Sequence, residues 1–411
     1  MVDIPEQLLT RNVIFYLASR FAGGTAMTML RSAIAWHVYS ITNSPFHLGL
    51  IGVVQFVPVL ALTLVGGAVA DSFERRRIIM IAQLVPMICA LALMGSTVEG
   101  WVTLPVLYGA VFVAASAGAF ENPARAALLP MLVPREVFPR AVTLASTGQA
   151  LAFMSGPAAG GFVIASRNIG AAYAVVAGLV VVSLTCLALL RPQRKAVEKR
   201  AMSWQAVREG LGFVRRNEVV LGCMTLDMFA VIFGGARALL PIYATDILDA
   251  GAFGYGLLYA ASEVGALLMS ILLLMLPSID RIGRVLVFSV AAYGIATMAF
   301  GLSRSFVLSL IAFTAVGMAD QVSVIMRTMT IQFLTPDELR GRVSAVNSIF
   351  ISASNQLGAV ESGFVAALTN ATFSVVSGGL GCLAVVGIVA ARVPALRNYR
   401  IGNAMVQTST K

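Results

Sequence analysis

The chain has 411 residues, 58% of them hydrophobic and 12% charged, with a mean hydropathy of +0.87, whereas soluble domains run at about 45–50% apolar and about 25% charged. A single hydrophobic core stops growing at about 250–300 residues, so this much apolar surface excludes a water-soluble fold and requires the bilayer as solvent. The net charge of +10 does not point to nucleic acid, because the basic residues lie in short connections between apolar runs, without interleaved aromatics or a basic domain of their own.

Crossing about 30 Å of hydrocarbon takes about 20 apolar residues in a helix, and runs of that length recur from the start. The first, at 12–39 after Arg11, is too long for a signal-peptide core and carries no small-residue cleavage pattern, so it is expected to be retained as a span. Eleven more are expected at 46–70, 78–96, 103–127, 138–165, 169–190, 219–245, 253–276, 285–302, 306–333, 340–368 and 373–391. The fold class is therefore all-α, a membrane protein of twelve transmembrane helices with both termini on one side. Cytoplasmic loops retain Lys and Arg. Here Arg75, Arg76 and Arg77 follow the second span, Arg135 and Arg140 the fourth, and Arg281 and Arg284 the eighth. The connection between spans six and seven adds Arg191, Arg194, Lys195, Lys199, Arg200, Arg208, Arg215 and Arg216, against only Arg167 and Arg304 in the opposite loops. Both termini are accordingly expected in the cytoplasm.

The expected organisation is a six-helix bundle over 1–190, a linker over 191–218, a second bundle over 219–392 and a tail over 393–411. Within the linker, Trp204, Val207, Leu211 and Val214 recur at helical spacing, which predicts an amphipathic helix on the inner membrane surface. Cys89, Cys186, Cys223 and Cys382 fall in separate apolar runs and read as packing residues, neither a disulfide framework nor a metal site. His37 and His47 have no carboxylate cluster beside them in sequence, so no metal is expected.

A shift of 202 residues superposes Arg125 on Arg327, Leu132 on Leu334, Pro134 on Pro336, Glu136 on Glu338 and Arg140 on Arg342. The match continues as Gly156, Gly161, Phe162 and Val163 fall on Gly358, Gly363, Phe364 and Val365, and a shift of 209 pairs Asp71 with Asp280. Two six-span halves with the same starting side are parallel, pseudo-symmetric repeats, an architecture that in secondary transporters places the solute site at the repeat interface.

An ionisable group inside a span costs at least about 2.5–3.5 kcal/mol on insertion scales, so it faces the bundle interior or a wet cavity. Arg20 and Arg31 lie in span one, Glu121 and Arg125 in span four, Asp227 and Arg237 in span seven, and Asp320 and Arg327 in span ten. Spans three, six, nine and twelve have none, while spans eight and eleven carry Glu263 and Glu361. Every third helix is thus expected to line an aqueous path. Glu263, Asp320 and Asp227 are the proton-coupling candidates, each open also to a structural role: a bond across helices for Glu263, an ion pair with Arg327 for Asp320. Arg31, Arg237 and Glu361 are the substrate-cavity candidates, the arginines either attracting an anionic solute or pairing with Glu361. Glu121 and Arg125, four apart, read as a local pair.

The run Gly67, Ala68, Val69, Ala70, Asp71, Ser72, Phe73, Glu74, Arg75, Arg76, Arg77, with its second copy Asp280, Arg281, Ile282, Gly283, Arg284, resembles the loop signature of the major facilitator superfamily. The resemblance implies a gating latch of Gly67, Asp71, Arg75, Arg76, Asp280, Arg281, Gly283 and Arg284, with Ser72 and Glu74 departing from the usual Arg and Gly. Gly156, Pro157, Gly160 and Gly161 resemble the ending of that superfamily's antiporter signature, which implies efflux; close helix packing is the plainer reading. Pro123 to Pro134, the run Glu209 to Arg215 and Pro336 to Arg342 are similar to the enterobactin-exporter and macrolide-efflux branch, and the similarity spans nearly the whole chain.

That resemblance implies the major facilitator fold and export of a small amphipathic solute, a siderophore or drug, from a bacterial cytoplasm across the cytoplasmic membrane. It implies a proton gradient as the drive, no bound cofactor, membrane lipid as surroundings, and a monomer that is not an enzyme. No Gly-x-x-x-x-Gly-Lys-Ser/Thr phosphate loop is present. A lipid or lysophospholipid translocator and a non-transporting scaffold or sensor are the competing readings.

Overall fold

The computed structural model describes residues 10–134, 136–190, 204–276 and 279–400, except for the side chains of 63, 64, 68, 70, 71 and 204–207. Hydrocarbon leaves a backbone no partner but itself, which favours helix wherever the apolar runs are long enough. The first half forms α1 (Arg11–Thr42), α2 (Pro45–Ser72), α3 (Arg75–Val98), α4 (Leu104–Leu128), α5 (Phe138–Ser166) and α6 (Ile169–Leu189). After the linker helix α7 (Trp204–Arg216) come α8 (Glu218–Phe233), a 3-10 turn (Ala236–Leu239), the single turn α9 (Leu240–Ile242) and a π segment (Tyr243–Ile247). The chain continues with α10 (Gly251–Met275), α11 (Ile282–Leu302), α12 (Phe306–Leu334), α13 (Asp337–Leu368), α14 (Ala371–Arg392) and the short α15 (Pro394–Arg397).

Each expected span is occupied by helix, with ends within three residues of the expectation; the seventh is broken. Among the described residues ten helices are long and apolar enough to cross a membrane. Of the remaining two, α5 is diluted by Arg140, Thr143, Ser146, Thr147 and Gln149, and α13 by Arg340, Arg342, Asn347, Asn355 and Gln356. The repeat is visible in the caps. Asn168 accepts from the Ala171 amide at 2.8 Å to start α6, and Asn370, 202 residues on, accepts from the Phe373 amide at 2.8 Å to start α14. An N-cap side chain of this kind satisfies an amide that the first turn leaves bare.

Two compact units result. The first comprises the described parts of Met1–Ile41, Val57–Met202 and Gly251–Ala260, with Val13, Tyr16, Ile79, Leu128 and Leu187 in a core built by α1, α3, α4 and α6. The start of α10 belongs here: the Tyr255 hydroxyl donates to the Ser32 carbonyl at 3.1 Å. A Cβ on Gly161 would stand 2.8 Å from the Cα of Gly256, an approach only glycine allows.

The second unit comprises the described parts of Thr42–Phe56, Ser203–Ala250 and Ala261–Lys411. Cys223, Leu226, Leu286, Val290, Cys382 and Val386 form its main core, so two of the four cysteines are packing residues as expected. The start of α2 lies against α13, with Phe46 4.9 Å from Phe364 between ring centres and a Cβ on Gly363 only 2.3 Å from the Cα of Gly49. The linker helix α7 also makes contacts within this unit. Part of its apolar stripe meets protein: Val214 is fully buried in a cluster with Val220, Met224, Ile331, Val343 and Val346. Glu209 pairs with Arg342, and Gly210 sits on the Arg342 carbonyl. The side chains of Trp204 and Val207 lie outside the described residues. The reason is that α13 offers α7 an apolar face and a basic residue in register.

Candidate functional site

In the second unit the site begins at the break in the seventh span. A Cβ on Gly234 would meet the Tyr293 ring at 2.3 Å, and one on Gly235 would meet the Gly358 carbonyl at 2.3 Å. These two glycines let α8 end against α11 and α13, and the Tyr293 hydroxyl donates to the Gly234 carbonyl at 2.9 Å. The 3-10 turn that follows presents Arg237. Its guanidinium donates to the Ser262 hydroxyl at 2.8 Å and pairs with Glu263 at 2.9 Å.

Glycine also sets the distance between α10 and α12. A Cβ on Gly317 would stand 1.8 Å from the Ser262 carbonyl oxygen, and one on Gly265 2.0 Å from that of Thr314. With the two backbones this close, Asp320 on α12 enters the electrostatic surroundings of Arg237 and Glu263. Two turns further along α12, Arg327 pairs with Asp227 of α8, both partners less than a tenth exposed. Asp320, Asp227, Tyr293 and Ser323 line one small cavity, with room for about one water molecule. The cluster thus holds three carboxylates and two guanidiniums, and Glu361 of α13 is a fourth carboxylate in the part of this unit read as membrane-spanning.

The structure redistributes the pairs expected from sequence. Arg237 takes Glu263, not Glu361, and Arg327 takes Asp227, not Asp320. The two residues on α12 are seven apart, so they point about 20° from one another but lie about 10 Å apart along the axis, whereas α8 crosses beside Arg327. Glu361 accepts from its neighbour Ser362 at 3.2 Å. Arg31 is exposed, with Tyr259 and Glu121 in its electrostatic surroundings.

The first unit holds a related arrangement. Arg125, the repeat partner of Arg327, is also buried; it pairs with Glu121 at 2.6 Å and reaches Ser19 of α1 at 3.5 Å. Gln83 donates to Glu121 at 3.0 Å, and the Tyr16 hydroxyl donates to the Arg125 carbonyl at 3.1 Å. Both aligned arginines therefore bind the first helix of their own half, one through a serine and one through an aspartate.

The latch residues are partly described. The Asp71 side chain lies outside the described residues. Among the described residues nothing comes within 4 Å of a Cβ on Gly67, Arg77 pairs with Glu74 at 2.6 Å, and Arg76 donates to the Ala188 carbonyl at 2.8 Å, a basic group on the carbonyl end of α6 where the helix dipole favours it. The buried Nε of Arg75 has no partner among the described residues. In the second copy Asp280, Arg281 and Arg284 are exposed, while Gly283 is covered by the tail: its amide donates to the Tyr399 carbonyl at 3.3 Å, and a Cβ there would meet the Leu396 carbonyl oxygen at 1.8 Å. The antiporter-like residues pack helices. Gly156 lies on Thr28 and the Thr25 carbonyl, Gly160 on Met29, and Gly161 on α10, with Pro157 between them inside α5.

The sequence reading missed Tyr293, Ser262 and Ser323. Uncharged hydroxyls in apolar helices carry no signal of their own, but the glycines at 234, 235, 265 and 317 mark the places where backbones meet.

A family model described as transmembrane secretion effector matches residues 11–405. The chain is 23% identical over 385 residues to enterobactin exporters of Shigella boydii and Escherichia coli, covering 93% of this chain and 92% of theirs. Among solved structures it resembles a POT family transporter in complex with 5-aminolevulinic acid, at a TM-score of 0.72 and 13% identity over 94% of this chain and 96% of that one. It also resembles a bacterial homologue of the human lysosomal transporter Spinster, at 0.68 and 13% over 94% and 95%. These likenesses carry the fold: all-helical and of the major facilitator type. The chain is a multi-pass membrane protein and a secondary transporter of small molecules, not an enzyme, and it belongs to the transmembrane secretion effector family of the major facilitator fold.

Proposed function

We propose that this transporter exports a small amphipathic solute by alternating access in exchange for protons, working as a monomer in a bacterial inner membrane with both termini in the cytoplasm. The observation that carries the coupling is the charge balance of the cluster formed by α8, the 3-10 turn, α10 and α12: Asp227, Glu263 and Asp320 against Arg237 and Arg327. One negative charge is left over in a region where uncompensated charge is expensive, and a proton is the compensation that can be exchanged. Asp320 is the carboxylate of this cluster with no ion pair among the described residues, so it is the group assigned to load and release that proton, while Arg237 and Glu263 hold it in place. The full-length similarity to enterobactin exporters supports export, and the latch and antiporter-like residues are assigned to gating.

The test is solute accumulation in everted membrane vesicles energised by a pH gradient, with enterobactin, a macrolide and a lysophospholipid as alternative probes. The expected result is pH-driven accumulation of enterobactin or the macrolide, abolished by Asp320→Asn. Accumulation of the lysophospholipid alone favours a lipid translocator, and the absence of flux with all three contradicts the reading.

A further inference from the structure

The cavity of the second unit has a feature that the coupling site does not use. Several buried hydroxyls of these helices bond back to the preceding turn, as Ser354 does to Phe350 and Thr330 to Met326, whereas Thr297 of α11, which does not line the cavity, and Ser323 do not. Ser323 is 3% exposed, yet its hydroxyl has no hydrogen-bond partner among the described residues, and it lines the cavity shared by Asp320 and Asp227. The Nε of Arg327, one turn further along α12, is likewise buried and unpartnered. An orphaned buried hydroxyl and two carboxylates on the wall of a space of this size are the conditions under which a protein holds an ordered water.

We infer that this cavity is a water site that relays a proton between Asp320 and the Asp227–Arg327 pair, and thus gives the coupling carboxyl a second proton-accepting station inside the bundle. The inference rests on the proposed role of Asp320. In the relay step the Asp320 carboxyl gives its proton to the water oxygen as the water gives one of its own to an Asp227 oxygen. One O–H bond breaks and one forms at the water, Asp320 becomes a carboxylate, and Asp227 becomes a neutral acid. The exchange leaves total charge unchanged and turns the Asp227–Arg327 pair from a closed ion pair into a loosened one, because a neutral acid holds a guanidinium less strongly. The groups that surround the transfer are Asp227 and Cys223 of α8, Arg237 of the 3-10 turn, Glu263 of α10, Tyr293 of α11, Arg327 of α12 and Cys382 of α14.

The test is infrared difference spectroscopy of the purified full-length protein in lipid nanodiscs during a pH titration, which needs no transported solute. The wild type is expected to show a protonated-carboxyl band that is lost in Asp320→Asn and a second, coupled band that is lost in Asp227→Asn. Ser323→Val, which fills the cavity, is expected to remove the second band and spare the first, and Ser323→Thr to keep both. A second band that persists in Ser323→Val, or the lack of any Asp227 band, overturns the relay while leaving Asp320 as the coupling group. Loss of neither band in Asp320→Asn overturns the coupling reading itself. Because Ser323→Val and Ser323→Thr leave every charged residue in place, the result does not depend on whether Asp227→Asn folds.

Discussion

A carboxylate and a guanidinium buried together in a membrane helix bundle hold each other in place, and removing one partner is worse than never having had either. For Asp227 and Arg327, both almost fully buried, Asp227→Asn is expected to lower stability by about 3–5 kcal/mol. A thermal melt of the detergent-solubilised protein checks this, and the combined Asp227→Leu and Arg327→Met chain is expected to regain most of the loss. The exposed counterpart behaves differently. Glu209 and Arg342 are each 38% exposed, so solvent screens the pair and Glu209→Ala is expected to cost no more than about 1 kcal/mol in the same measurement. Sequence alone named Asp227, Glu263, Asp320, Arg237 and Arg327, because an ionisable residue in an apolar run is conspicuous. Which of them pair depends on how two helices cross, and spacing along one chain carries no information about that; hence the expected partner of Arg327 was Asp320, its neighbour on the same helix.

Helix boundaries were legible for a similar reason. Apolar runs, Asn168 and Asn370 at the starts of α6 and α14, and the loop charges fix where a helix begins and ends. The break after Phe233 was less legible, because the Gly234–Gly235 step acts through Tyr293 and Gly358, both far away in sequence. The linker helix shows the same limit: its amphipathic stripe was readable, but that Val214 would meet α13 was not. Glycine contacts at this scale make specific predictions. Gly283→Ala puts a methyl group against the Leu396 carbonyl and is expected to displace the tail. Maleimide labelling of Leu396→Cys, in a chain whose four native cysteines are replaced, is then expected to rise from near zero, since Leu396 is 1% exposed. Gly317→Leu is expected to push α12 away from Ser262 and abolish pH-driven transport while leaving membrane insertion intact, as judged by proton-coupled flux and by protein yield in the membrane.

For the whole molecule, a parallel repeat explains why two sets of helices share caps and a buried arginine while differing in charge. In the first unit Arg125 bonds Glu121, four residues away, and Ser19, while Gln83 donates to Glu121. In the second unit the equivalent arginine pairs with Asp227, and Glu263 pairs with Arg237 in the electrostatic surroundings of Asp320. Duplication supplied the scaffold and divergence placed the surplus negative charge in one half. An account of this kind assigns coupling to the second unit and structural work to the first, so neutralising Glu121 together with Arg125 is expected to lower stability but to leave the dependence of transport on the pH gradient unchanged.

The most direct measurement is proton counterflow in proteoliposomes containing the purified protein, with an internal pH dye and enterobactin added outside. The account predicts that solute entry is matched by proton exit and that Asp320→Asn abolishes the matching. Solute entry without proton exit, or proton counterflow undiminished in Asp320→Asn, would contradict it.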